Sequence, residues 1–104
     1  MYEYNATVQK IVDGDTIDVM IDLGFDVFRV ERVRLARINC PELKNAEGVL
    51  ARAHVYDIVN GKSVVIKTSK NKFDRYGRWL AEVYVGDLNL SDDLLQKNLA
   101  VPYP

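Results

Sequence analysis

The stretch Ile11-Val12-Asp13-Gly14-Asp15-Thr16-Ile17-Asp18-Val19-Met20-Ile21-Asp22 decides how the chain is read. Ile17, Val19 and Ile21 alternate with mostly polar neighbours, and a period of two marks a half-buried strand. The preceding Ala6–Val12 segment is a second strand candidate, and Asp13-Gly14 between them is a hairpin signal. Strands are poor in aspartate, yet four carboxylates sit here. Asp13-Gly14 forms turns readily. Asp15 therefore has two readings, a turn residue or a ligand for a metal ion.

Working outward, Gly24 marks the next turn, and Phe28 to Ile38 alternates again. Val33 and Leu35 fall on one face of that segment and Arg32 and Arg34 on the other. After Pro41 the period changes. Ala51, Val55, Ile58 and Val59 recur at helical spacing, which predicts a helix from near Gly48 to a left-handed stop at Asn60-Gly61. Strands return at Ser63–Lys67 and Trp79–Val85, with a turn at Gly86-Asp87 before Leu88–Leu90. Ser91 is the expected N-cap of a short second helix that turns Leu94, Leu95 and Leu99 inward, with Asn98 as its C-cap. The expected class is mainly β with two or three helices. Five strands with a helix after the third predict a five-stranded Greek-key barrel of the OB type.

The 104 residues suit one domain, 1–104. The formal net charge of -1 means that any attraction to phosphate is local rather than global. No apolar run is long enough to span a membrane, and the N-terminus lacks the apolar core of a signal peptide. Cys40 is the single cysteine, so no internal disulfide forms. The expected location is a reducing cytoplasm, with no membrane contact.

Three clusters carry possible chemistry: Asp13-Gly14-Asp15-Thr16, Arg34 to Glu42, and Asp74-Arg75-Tyr76-Gly77-Arg78. Carboxylate, amide and carbonyl oxygens suit a hard cation. Arginine forks suit a phosphate, and a carboxylate can take the proton of an attacking water. Together they make the equipment of phosphodiester hydrolysis.

These clusters carry a resemblance. VDGDT at Val12–Thr16, RVRL at Arg32–Leu35, CPE at Cys40–Glu42, DRYGRWLA at Asp74–Ala81 and LLQKNLA at Leu94–Ala100 resemble the staphylococcal nuclease-like (thermonuclease) domain, from Ala6 to about Ala100. The extended Asp22–Asp26 hairpin looks most like phage-borne members. The resemblance implies an OB-type barrel and calcium-dependent cleavage of DNA or RNA, leaving 3′-phosphates. By matching position, Asp15, Asn39 and the Cys40 carbonyl would bind Ca2+. Glu42 would activate or order water, and Arg34 and Arg78 would clamp the reacting phosphate. Arg75 and Tyr76 would touch a nucleotide's terminal phosphate, and Tyr103 is a candidate for stacking on a base.

Two features depart from the best-known members. Asn39 stands where they carry aspartate, which removes one negative charge and should weaken calcium. The chain also ends at Pro104, where the family usually continues into a third helix. A plainer reading stands beside each assignment: Asp18, Asp22, Arg29, Arg32 and Arg37 as solvated strand residues, His54 as a surface residue, Cys40 as packing, and Trp79 and Tyr84 as core or half-buried aromatics. A nucleic-acid- or protein-binding module of the same fold, catalytically weak or inactive, is the alternative function.

Overall fold

The computed structural model describes residues 2–73 and 77–103, with residues 69–73 as backbone only. Along the chain run β1 (Tyr2–Asp13), β2 (Thr16–Asp22), β3 (Phe28–Leu35), β4 (Ile38–Asn39), α1 (Ala46–Val59), β5 (Ser63–Phe73), β6 (Trp79–Val85), β7 (Leu88–Asn89), α2 (Leu90–Gln96) and β8 (Val101–Pro102). The main sheet has the order β3-β2-β1-β5-β6-β7. A parallel pairing of β3 with β6, Val33 to Trp79 through Leu35 to Ala81, closes five strands into a barrel. This is the expected OB-type architecture, with two helices among the described residues.

The alternation read in the sequence has its physical counterpart inside. Ile17, Val19, Val33, Leu35, Ile66 and Val83 point inward and are almost completely buried. Helix α1 adds Ala51, Val55 and Val59 to the same core. Gly14 lets that helix come close to the β1–β2 turn: a Cβ there would lie 2.9 Å from both Ala51 Cβ and Cys40 Sγ.

The helix ends differ from expectation in instructive ways. Helix α1 starts at Ala46, after the N-cap Asn45, rather than near Gly48. Gly48 lies within it because its surface touches backbone, and a Cβ would fall 2.0 Å from Glu42 O. At α2 the N-cap is Asn89, whose side chain accepts from Asp92 N at 3.0 Å. Ser91 is buried instead and donates to Ala36 O at 2.9 Å. Both residue types cap helices equally well, so the burial of Leu90 decides the register. Lys97 is the C-cap, and Asn98 follows it at φ 58. There Leu99 N donates to Leu94 O and Asn98 N to Leu95 O, the paired bonds of a left-handed helix stop.

His54 is not a free surface residue. Its Nε2 lies 2.6 Å from Asp93 Oδ2, and Asp93 is buried with Lys97 Nζ 2.5 Å from its other oxygen. The carboxylate thus ties α1 to α2. Burial raises the Asp93 pKa, but the hydrogen bonds from Lys97 and His54 outweigh it and leave it below the ordinary 3.8. A depressed carboxylate contributes stability above its unfolded value and loses it as pH falls through the folded one. Asp93→Asn is expected to cost about 2 kcal/mol in urea unfolding at pH 7. The deficit should shrink toward pH 3; a deficit independent of pH refutes the pairing.

Candidate active site

The site grows from the β1–β2 turn. Gly14 and Asp15 are its two linking residues, and Asp15 N donates to Asp13 Oδ1 at 3.0 Å. This turn aims the Asp15 side chain away from solvent, at 7% exposure. Its Oδ2 accepts from Cys40 N at 2.9 Å, and its Oδ1 accepts from Thr16 Oγ1 at 3.1 Å. One aspartate therefore joins the turn to the segment after β4.

Arg34 reaches the same place from β3. Its Cα is paired with Thr16 on β2 and with Leu80 on β6, so it stands where the barrel closes. Arg34 is 7% exposed, and burial of its charge demands partners. Nη1 donates to Leu35 O and Ile38 O at 3.1 and 3.0 Å. Nη2 donates to Asn39 Oδ1 at 3.0 Å and lies 3.6 Å from Asp15 Oδ2. The Tyr103 ring covers it, 5.2 Å from centroid to Cζ, a cation–π distance. Arg78, just before β6, donates from Nη1 to Thr16 Oγ1 at 3.2 Å. Arg34 and Arg78 are thus linked through Asp15 and Thr16 on one side of the barrel.

The structure gathers Asp15, Arg34, Asn39, Cys40, Arg78 and Tyr103. Glu42 stands apart: its side chain is 73% exposed and pairs with Lys44 at 3.2 Å. Arg75 and Tyr76 lie outside the described residues. Burial, followed by the charges of Asp15 and Asp13, pushes the Cys40 thiol up to about 12. It stays protonated and packs, as its plainer reading had it.

Arg37 is an exposed charge, 48% accessible, and is also a joint. It occupies the left-handed region at φ 71, which a side-chain-bearing residue enters only when its surroundings hold it there. Its guanidinium is bidentate on Glu82, at 2.7 and 2.9 Å, and meets Asp92 at 2.9 Å. Its carbonyl accepts from Tyr103 N at 2.8 Å. With β4 paired to β8, it fixes the strand that carries Tyr103 over Arg34. No local pattern flagged these pairings, because the partners lie far along the chain.

Asp15, the Asn39 amide oxygen and the Cys40 carbonyl are oxygen donors of the kind a hard cation takes, and the cation beside them here is Arg34, whose Nη2 is 3.0 Å from Asn39 Oδ1 and 3.6 Å from Asp15 Oδ2. Burial first, then the hydrogen bond and charge of Asp15, push Asp13 up to about 6. Among the described residues no group of three or more His, Cys, Asp or Glu side chains is placed to hold a metal ion.

The family described as "Staphylococcal nuclease homologue" matches residues 32–104, which take in Arg34, Asn39, Glu42, Arg78 and Tyr103. The chain belongs to the staphylococcal nuclease family. An "Uncharacterized endonuclease" of Escherichia coli O157:H7 is 32% identical over 102 residues, 97% of this chain and 62% of that protein. "Micrococcal nuclease" of Shigella flexneri is 38% identical over 82 residues, 79% of this chain and 43% of its own. The "SPbeta prophage-derived endonuclease YokF" of Bacillus subtilis (strain 168) is 31% identical over 103 residues, 92% of this chain and 33% of its own. The chain thus spans less than two thirds of these staphylococcal nuclease relatives. Its described helices include none long and apolar enough to cross a membrane.

Proposed function

We propose that this protein is a nuclease that hydrolyses phosphodiester bonds of DNA or RNA. The observation that carries the reading is the meeting of Arg34 and Arg78, from distant segments, around the Asp15–Thr16 turn. Two guanidinium groups on one side of the barrel can donate paired hydrogen bonds to a phosphate and offset the charge that grows as water attacks phosphorus. Two carbonyls grip Nη1 of Arg34, so its fork is oriented before substrate arrives. Arg78 assists the departing 5′-oxygen, which leaves a 3′-phosphate on the other product.

Glu42 takes the water-activating role. The role requires its flexible side chain to leave Lys44 and turn toward the arginines, an inexpensive rotation for an exposed ion pair. Tyr103 offers the outer face of its ring to a base, while its inner face covers Arg34. Arg75 and Tyr76 complete the contacts to a nucleotide's terminal phosphate. Asp15, Asn39 and the Cys40 carbonyl would hold calcium, which when bound polarises a phosphate oxygen. The protruding Asp22–Asp26 hairpin favours a phage-borne origin, in line with the prophage-derived relative.

Asn39 favours a second reading, a nucleic-acid- or protein-binding module in which hydrolysis is weak or lost. Heat-denatured DNA incubated with the protein and calcium, against the same mixture with chelator, separates the two. Cleavage with calcium alone is expected; intact DNA in both supports the binding module. Asn39→Asp adds a ligand charge and should tighten calcium about tenfold by calorimetry. Equal affinity in the two proteins would mean that the ion does not sit beside Asn39.

A further inference from the structure

The outer face of the barrel carries a trough of about 320 Å3 that the proposed cleavage does not use. That volume is at the small end of the range of ligand sites. Thr7 pairs with Met20 across β1 and β2, and Val65 on β5 stands between Asn5 and Tyr84. Successive residues of a strand alternate between faces, and Ala6, Val19, Val64 and Val83 between them fill the core. The side chains of the first set therefore share the outward face. One step beyond the Ala6–Ile21 pair, Asn5 and Asp22 stand side by side on it.

This surface joins apolar area to unused polar groups. Met20 and Val65 are half-buried and form the floor. Tyr84 forms a wall, its ring held by Lys67 Nζ at 4.7 Å from the centroid. Asp22 Oδ1 accepts from Gly24 N at 2.8 Å, which leaves Oδ2 for a ligand. Asn5 is exposed, and among the described residues its amide has no partner. Asp22 is the one charged residue in the described lining. With no lysine or arginine there, the trough disfavours phosphate and favours a neutral molecule that donates hydrogen bonds.

We propose that the trough binds a nucleobase bearing an exocyclic amino group: adenine, cytosine or guanine. The amino group donates to Asp22 Oδ2, the contact by which a carboxylate reads cytosine. The Asn5 amide can donate or accept, and so meets the neighbouring ring atom. The flat faces of the base lie against Met20, Val65 and Tyr84. Uracil and thymine present carbonyls on both sides of their ring N–H, and the carboxylate repels them. The inference rests on the nuclease reading only for the source of the base. Thr16, Asp18, Met20 and Asp22 lie on one face of β2, so the trough begins about 13 Å from the Thr16 end where the arginines meet. The row between, Lys10, Asp18 and Arg32, carries one more positive than negative charge for a passing backbone.

Met20 is one of only two methionines, so 13C-methyl methionine labelling gives two NMR signals, and Met20→Leu assigns them. Nucleosides lack phosphate and probe the trough without the arginines. With chelator present, cytidine and adenosine should move the Met20 signal to saturation, and uridine should bind at least about tenfold more weakly. Asp22→Asn adds a donor beside the acceptor, so the difference between cytidine and uridine should vanish while circular dichroism is unchanged. An adenosine tetranucleotide that shifts the same signal at lower concentration than adenosine identifies a polynucleotide strand as the source; equal concentrations identify free nucleoside. A Met20 signal that no nucleoside moves overturns the proposal, as does uridine binding equal to cytidine, or discrimination that survives Asp22→Asn. None of these readouts involves cleavage, so a protein that cuts DNA without nucleoside binding refutes the trough alone, and one that binds nucleosides without cutting refutes the nuclease reading alone.

Discussion

Arg34→Ala is expected to lower turnover on denatured DNA by about a hundredfold to a thousandfold, the scale on which one removed charge-stabilising donor acts, roughly 3 to 4 kcal/mol. The residue is buried, donates to three oxygens besides its proximity to Asp15, and lies under an aromatic ring. Its loss also strands Asp15 beside Asn39 with one cation fewer, so some stability goes with it. Thermal unfolding and circular dichroism of the same preparation separate the two effects. Arg32→Ala, two residues earlier on the outer face and paired with Asp18, is the control and should retain nearly full turnover. Arg34→Lys keeps the charge but not the fork, and should recover little. Equal turnover in Arg34→Ala and Arg32→Ala would end the phosphate-clamp assignment.

Gly48→Ala should have the larger effect on stability, with a sign opposite to the usual one. In an ordinary helix interior this change is favourable by up to about 1 kcal/mol, because glycine is a poor helix former. Here the new Cβ would meet Glu42 O at 2.0 Å and Pro41 O at 2.7 Å. Backbone cannot swing aside as a flexible side chain does. Either α1 lifts from the Pro41–Glu42 segment or the segment is pushed outward, and overpacking of this kind costs about 3 kcal/mol. Displacing that segment also moves Glu42 and the adjoining Cys40. Urea unfolding should therefore show a loss of stability, accompanied by reduced cleavage. A more stable Gly48→Ala protein would show that helix and loop are not in contact.

Much of the barrel was legible because it rests on local periodicity. The alternation from Thr16 to Asp22, the Asp13-Gly14 signal and the Asn60-Gly61 stop each depend on neighbours within a few residues, and the structure keeps them. The site residues were singled out by residue type and motif, and the barrel brings Asp15, Arg34, Asn39 and Arg78 together. What escaped depends on distant partners. Arg37 looks like any strand arginine until Glu82 and Asp92 arrive from β6 and α2. His54 looks exposed on its own helix and becomes half-buried only when α2 sets Asp93 against it. The β4–β8 pair involves two residues on each side, too few to leave a periodic trace. Ser91 lost the capping position to Asn89 because both are good caps and packing chose between them.

The parallel seam between β3 and β6 has a consequence in time. β1, β2 and β3 are sequential hairpins whose contacts close over short loops, whereas the seam joins Val33 to Trp79 across nearly half the chain. Long loops are closed late, after local pairing has reduced the entropy still to be lost. Arg34 stands on one side of that seam and Arg78 at the start of the other. The two arginines come into register only when β6 is seated against β3. Partly folded chains can then hold most of their strands yet keep Arg34 and Arg78 apart, so that the proposed cleavage would begin only once the barrel is closed.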